Sequence, residues 1–447
     1  MRRAARIVCV LASLAFAPAA HAIAIKQVTS GGGITAWLVE DHSLPVVTID
    51  LAFRGGGGAL DPKDKAGLAN LASDLLDEGA GELDSSAFQG RLEDTATRLS
   101  FSAGEDAFGV SMRTVSANLD PSFDLLRLSL SAPRFDAAAV ARVKGQVLAS
   151  LAHDERQPRT IADRLWRKAA FGDHPYAHPV RGSAASIGRI DAEDLRGFVR
   201  ARFAKDALVV AVVGDIAPEP LKALLDKTFG ALPAHAVAGA VPPLQVKDQG
   251  ELLLARLGIP QSVVVFGQPG IKRDDPDWYA ALLVNSILGG GGFSARLTEE
   301  VREKRGLAYS VYSGLMPLEA GGAIIGSVAT ENARVEQSTE IIRAEWQRMR
   351  DLGPTEKELA DAKTFITGSF PLSLDSTGRI AATLVQIQRD RLGIDYLDRR
   401  NALIDGVTLE DAKRVARRLL DPDALTFVVV GAPAELPGAR EVSPDGS

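Results

Sequence analysis

The segment Ala207-Leu208-Val209-Val210-Ala211-Val212-Val213-Gly214 returns 217 positions later as Ala424-Leu425-Thr426-Phe427-Val428-Val429-Val430-Gly431. Two further echoes keep nearly the same distance. Phe53-Arg54-Gly55-Gly56 matches Phe266-Gly267-Gln268-Pro269 at 213 positions, and Asn70 matches Asn285 at 215. Three agreeing offsets mean one unit built twice in tandem. In each copy short apolar runs come first, blocks with helical spacing follow, and a buried strand closes. That order indicates α+β units, each a mostly antiparallel sheet backed by helices, rather than a βαβ repeat.

In the first copy strands are expected at 33–40, 46–53, 99–103 and 107–113, the last two as a hairpin around Gly104-Glu105-Asp106. Helices are expected at 122–132, 136–152, 160–171 and 191–202. In the second copy strands are expected at 251–257, 262–267, 309–316 and 320–328, with helices at 277–288, 293–304 and 356–368. Thr355 with Glu358 three residues on forms a capping box for the last of these. The Ala-, Gly- and Pro-rich stretch 233–250 lacks apolar periodicity. The expected division is therefore a unit at 23–235, a linker at 236–250 and a unit at 251–447. A chain of 447 residues is too long for one ordinary core in any case.

Residues 1–22 stand apart. Arg2, Arg3 and Arg6 precede an apolar run at 7–16, and Ala20-His21-Ala22 has the form of a cleavage site. The run is too short to span a bilayer, so the expectation is a secretory signal cleaved after Ala22 and export to a periplasm-like compartment. The single cysteine, Cys9, lies inside it, leaving the exported chain without thiol or disulfide chemistry. Removing three of the 51 basic residues leaves 48 against 57 acidic ones, a net charge of −9. That balance argues against nucleic acid and anionic membrane surfaces as partners. No later segment reaches transmembrane length.

The first candidate site lies in the stretch 64–81. Leu68, Leu71, Leu75 and Leu76 recur at three- and four-residue spacing, predicting a helix stopped by Gly79-Ala80-Gly81. Asn70, Ser73 and Asp74 then share one side of it. The spacing is that of an H-x-x-E-H helix, which sets two imidazoles on one zinc ion beside a Glu general base. The donor chemistry differs: an amide, a hydroxyl and one carboxylate make at best a weak site for a hard cation, or simply a solvated face beside a cleft. The histidines do not help. His174 and His178 are four apart, but Pro175 and Pro179 break any helix that would align them. His153 falls near a helix end, His42 in a turn and His235 in the linker.

The second candidate is Gly289-Gly290-Gly291-Gly292-Phe293-Ser294-Ala295-Arg296-Leu297, running into Glu300-Val301-Arg302-Glu303-Lys304-Arg305-Gly306-Leu307-Ala308-Tyr309-Ser310-Val311. No G-x-x-x-x-G-K-[ST] follows, so the glycines are not a phosphate loop. Arg302, Lys304 and Arg305 at a helix end are stabilised by the dipole without any ligand, and Tyr309 could simply pack at a strand start. Chemically, a phenol O–H can donate to a developing oxyanion, and a guanidinium can hold a peptide carbonyl or carboxylate.

Both segments resemble the pitrilysin/insulinase-type (M16) zinc peptidases. Gly67-Leu68-Ala69-Asn70-Leu71-Ala72-Ser73-Asp74 aligns with the family's G-L-A-H-x-x-E-H, and the second segment with its G-G-G-x-x-S-R-L…R-E-K-R-G-L-A-Y-S-V. His-Pro-Tyr-Ala-His-Pro at 174–179 resembles a structural loop of the same family. The family's third zinc ligand, a Glu from a later helix, falls on Ser150. The resemblance thus implies that all four metal and base positions, Asn70, Ser73, Asp74 and Ser150, are vacated and that this chain holds no metal. In bacterial two-chain members one subunit carries H-x-x-E-H and its partner an Arg/Tyr pair. This chain is similar to the partner, and Leu75-Leu76-Asp77-Glu78-Gly79 is of that type too. The implied protein is a non-catalytic subunit of an exported heterodimeric peptidase with the LuxS/MPP-like metallohydrolase fold in a clamshell architecture. Arg302 and Tyr309 would complete the active site of a homologous zinc-binding subunit. A substrate peptide would add as a strand to an open edge at 99–103 or 107–113. The competing reading is a peptide-binding or scaffold protein of the same fold without proteolysis.

Overall fold

The structure, a computed structural model, describes residues 23–237, 239–246 and 250–445. The expected signal segment lies outside them. The first half contributes β1 (Lys26–Thr29), β2 (Thr35–Glu40), β3 (Val46–Arg54), the short pair β4 (Gly79–Ala80) and β5 (Leu83–Asp84), β6 (Arg98–Ala103), β7 (Ala107–Val115) and β8 (Leu208–Gly214). Its helices are α1 (Leu68–Ser73), α2 (Ser85–Asp94), α3 (Leu119–Ser131), α4 (Ala137–Asp154), α5 (Pro158–Phe171), α6 (Ala184–Arg189), α7 (Ala192–Arg202) and α8 (Pro218–Phe229). The second half contributes β9 (Leu252–Arg256), β10 (Gln261–Pro269), β11 (Ala308–Leu318), β12 (Gly321–Glu331), β13 (Thr426–Gly431) and β14 (Arg440–Val442). Its helices are α9 (Trp278–Asn285), α10 (Val335–Leu352), α11 (Glu356–Ser369), α12 (Thr377–Arg389), α13 (Tyr396–Asp405) and α14 (Leu409–Leu419).

Two six-stranded sheets result, ordered β1-β2-β8-β3-β7-β6 and β11-β12-β10-β13-β9-β14. Read from opposite ends, the orders coincide: β2, β8, β3, β7 and β6 hold the places of β9, β13, β10, β12 and β11. The closing strand of each half enters the middle of its sheet. β8 runs parallel to β2 and antiparallel to β3, as β13 does to β9 and β10. Covered on both faces, these strands carry continuous Val-rich runs instead of an alternating pattern. Only the outermost strands differ, β1 pairing antiparallel with β2 and β14 parallel with β9.

One face of each sheet packs on helices of its own half. The other face is covered by a helix from the opposite half. On the first sheet, Trp37, Val39, Ala52, Val209, Ala211 and Val213 meet Ala381, Leu384, Val385 and Ile387 of α12. On the second, Leu253, Ala255, Val265, Val428 and Val430 meet Ile161, Leu165 and Trp166 of α5. Gly267 makes room there: a Cβ would come within 2.5 Å of the Trp166 ring. Gln388 adds a polar tie, its Nε2 donating to the Val210 carbonyl at 3.0 Å. The His-Pro-Tyr-Ala-His-Pro loop also joins the halves. The fully buried Tyr176 donates its hydroxyl to Asp106 and accepts from the Ala320 N–H at 3.2 Å. His174 Nε2 meets the Pro242 carbonyl at 2.9 Å. Its role is structural.

Several elements differ from the sequence expectation. The helix expected over 64–81 is only α1. Gly67 adopts φ +94°, which a right-handed helix cannot pass through, and the chain turns after Asp74. Leu75 and Leu76 are buried in that turn, so their spacing reported burial rather than helix. The helix expected at 277–288 ends at Asn285 and widens into the π-turn Ser286–Gly290. The one expected at 293–304 becomes a 3-10 turn, Gly292–Ser294, and a π-helical segment, Thr298–Glu303. Helix α11 opens as expected, with the Thr355–Glu358 capping box formed. Among the described residues, no helix is long and apolar enough to cross a membrane.

Candidate functional site

Helix α1 is anchored at its N-terminus by Asp61, which accepts the Ala69 N–H at 3.1 Å. Burial pushes the Asp61 carboxyl up to about 6, against the backbone N–H groups and the nearby Arg202. Arg202 is itself buried and donates to the carbonyls of Gly55 and Leu60, fixing the turn that leads into the helix. On α1, Asn70 Nδ2 donates to Asp74 Oδ2 at 3.0 Å. Ser73 does not join them. It is buried, and its hydroxyl donates back to the Asn70 carbonyl at 2.7 Å, the local bond a buried Ser in a helix adopts.

Ser150 on α4 faces the same region. Its Oγ accepts from Arg181 Nη2 at 2.9 Å, and Arg181 also donates to Asp154, one turn further along α4. Burial raises the Asp74 carboxyl, while the charge of Arg181 draws it down. Beside this group Glu78 accepts from Arg142 and from Ser85, and burial raises Asp77. The structure therefore gathers Asn70, Asp74 and Ser150 around an arginine that the sequence reading missed. Its only local signal was the Pro-Val-Arg-Gly sequence after the His-Pro loop. The set does not fit zinc: it has no imidazole, one amide, one hydroxyl, and a carboxylate that faces a guanidinium. Among the described residues, no group of three His, Cys, Asp or Glu side chains is placed to hold a metal ion.

The second-half motif is built differently. Buried Glu300 accepts from Lys304 at 2.7 Å and from Arg305 at 2.5 Å, so these two cations are tied into the fold. Arg302 instead lies between two exposed rings, 4.8 Å from the Phe293 centroid and 5.1 Å from that of Tyr309. Its Nε stands 3.3 Å from Glu303. Tyr309 is 85% exposed and Phe293 74%. Arg296 anchors the segment from beneath, bonding both Glu358 carboxylate oxygens at 2.6 and 2.8 Å. Burial would raise Glu358, but Arg296 and the Thr355 N–H and hydroxyl outweigh it and hold the carboxyl down to about 2.

The glycine run has a steric reason. Gly289 lies against β11, where a Cβ would come within 2.4 Å of Ser313 Oγ and 2.8 Å of its amide. Asn285 exchanges bonds with Ser313, donating Nδ2–H to its carbonyl at 3.1 Å and accepting its hydroxyl at 2.8 Å. The π-turn is thereby seated on the strand that bears Tyr309.

Within one chain the two candidate segments lie in separate cores. Helix α1 packs on β6, α4 and α7, whereas the Arg302 segment packs on β11 and α10. Of the two expected edges, β6 is at the rim of its sheet, while β7 lies between β3 and β6. A cavity of about 590 Å³ opens at the junction of the halves, lined by side chains of both signs including Arg54, Asp206, Lys272, Glu319 and Arg391. None of the candidate residues lines it.

Comparison with known proteins agrees with this architecture. The peptidase M16 inactive domain matches residues 189–365. The non-peptidase homolog YmxG of Helicobacter pylori is 30% identical over 391 residues, 88% of this chain and 90% of that protein. The crystal structure of a peptidase M16 inactive domain from Pseudomonas fluorescens is 31% identical with a TM-score of 0.83, covering 91% of this chain and 98% of that one. The periplasmic protease PqqL of Escherichia coli shares the fold at 18% identity and a TM-score of 0.77, over 92% of this chain and 45% of its own. With this identity and coverage, the chain belongs to the M16 peptidase family as a non-catalytic homologue.

Proposed function

We propose that this chain is the metal-free subunit of an exported two-chain zinc peptidase, pairing with a homologous subunit that carries H-x-x-E-H. Arg302 and Tyr309 then reach the partner's active site, where the peptide substrate is cleaved. One observation carries this reading. Lys304 and Arg305 are committed to Glu300, yet Arg302 is held between two rings that the chain leaves in solvent. A side chain needed only for packing would not leave Tyr309 85% exposed. In the assembled pair the Tyr309 hydroxyl would donate to the carbonyl oxygen as negative charge develops on it. The Arg302 guanidinium would hold a neighbouring backbone carbonyl or carboxylate. Water activation belongs to the partner, because nothing around Asn70 and Asp74 supplies a base on a metal.

The division into units at 23–235 and 251–447 with a linker at 236–250 is part of the same reading, as is a signal at 1–22. The periplasmic relative PqqL supports export. A peptide-holding scaffold is the second reading, supported by the rim position of β6. It gives Arg302 and Tyr309 nothing to do.

Co-expression with an H-x-x-E-H homologue from the same genome tests the proposal. Tyr309→Phe is expected to lower kcat on the order of 10²-fold, the usual cost of one oxyanion donor, with the complex still forming. Full activity in that variant would leave Tyr309 without a catalytic role. Absence of any complex would favour the scaffold.

A further inference from the structure

Four oxygen-bearing side chains gather at the segment 67–74: Asn70 on α1 and Asp74 at its C-cap, with Ser150 and Asp154 one turn apart on α4. Arg181 closes the group. It donates to Ser150 at 2.9 Å and to Asp154, and its charge acts on Asp74. The loop that carries it is locked to the start of α1. A Cβ on Gly67 would lie 2.8 Å from the Arg181 carbonyl oxygen, and one on Gly182 would lie 2.1 Å from the Ala66 carbonyl oxygen. Both glycines have positive φ, +94° and +72°, and the Ser186 hydroxyl donates to the same Ala66 carbonyl at 2.7 Å.

We infer that Arg181 is a resident cation occupying the place of a metal ion, so that the site is closed to divalent metals by an occupant as well as by the loss of ligands. A guanidinium stays charged at any physiological pH and offers directional donors, which suits it to bridge Ser150 and Asp154. It supplies counter-charge to Asp154 and Asp74, while Arg142 pairs the nearby Glu78. A divalent ion entering the group would meet this positive charge at contact range, far inside the roughly 8–10 Å over which salt screens exposed charges. The inference is independent of any partner subunit and stands or falls apart from the function proposed for Arg302 and Tyr309.

The test uses the full chain from residue 23. Asn70→His, Ser73→Glu, Asp74→His and Ser150→Glu are combined, with and without Arg181→Leu, and zinc affinity is measured by competition with a chromophoric chelator. Circular dichroism checks folding. Zinc is expected to bind at least about 100-fold more tightly once Arg181 is removed. Equal stoichiometric binding in both variants overturns the inference. Should neither restored variant fold or bind, a double-mutant cycle in the native background decides. Arg181→Leu is expected to lower the thermal midpoint by about 1–2 °C, and by clearly less in the Asp74→Asn/Asp154→Asn background. The same loss in both backgrounds overturns the inference equally.

Discussion

Asp61 sets the geometry of α1 from a position where its own charge is unwelcome. One of its oxygens takes the Ala69 N–H, and the other has no hydrogen-bond partner. Its carboxyl is raised from 3.8 to about 6, chiefly by burial. An acid whose folded value lies above its unfolded value contributes stability that is complete below 3.8 and is lost as pH rises through about 6. Asp61→Asn keeps an acceptor for Ala69 and removes the charge. The native chain is therefore expected to lose up to about 3 kcal/mol relative to this variant between pH 4 and pH 7. Urea midpoints of both proteins at the two pH values measure it; parallel pH profiles would show that Asp61 is not the group responsible. Gly289 offers a steric counterpart. Gly289→Val must push the π-turn off Ser313, with an expected cost of about 1–3 kcal/mol by thermal denaturation. A glycine run read as sequence alone gave no hint of this, because the partner, Ser313, sits on a different element.

At the scale of elements, the apolar periods located the closing strands β8 and β13 and helices α3, α4, α5, α7 and α11, but gave no range to α8, α10, α12, α13 or α14. They misjudged α1 because Leu75 and Leu76 continue its spacing while lying in a buried turn. Pattern records which residues are buried, and a turn pressed onto a core is buried too. Strand order was beyond reach for a related reason: β6 and β7 both alternate, and only pairing tells the rim strand from its neighbour. The reciprocal cover of the sheets makes a further demand on stability. Leu384 of α12 is fully buried against strands of the opposite half. Leu384→Ala is expected to cost about 2–5 kcal/mol, and the loss should appear in the unfolding of the whole chain. Scanning calorimetry that resolved two transitions, with only one displaced, would mean the halves do not depend on each other in this way.

For the whole molecule, the duplicated unit and the family were legible because they rest on local strings: a repeated strand, and the segments 67–74 and 289–311 that resemble motifs of the M16 family. The surroundings of Ser150 were not, since Arg181 reaches Ser150 and Asp154 from a loop more than two dozen positions away. That difference has a measurable consequence for what stabilises the fold. In a metal-dependent fold, binding free energy is part of folding free energy, so a chelator lowers the unfolding temperature. Here the site's charges are paired internally by Arg181 and Arg142. The isolated chain is therefore expected to melt at the same temperature, within about 1 °C, with or without EDTA, and to carry under about a tenth of an equivalent of zinc. A chelator-induced fall of several degrees, matched by stoichiometric metal, would place an ion in the fold and remove the basis for a metal-free subunit. With no such fall, chelator sensitivity of peptidase activity in an assembled pair belongs to the other chain, which separates the source of the chemistry from the source of Arg302 and Tyr309.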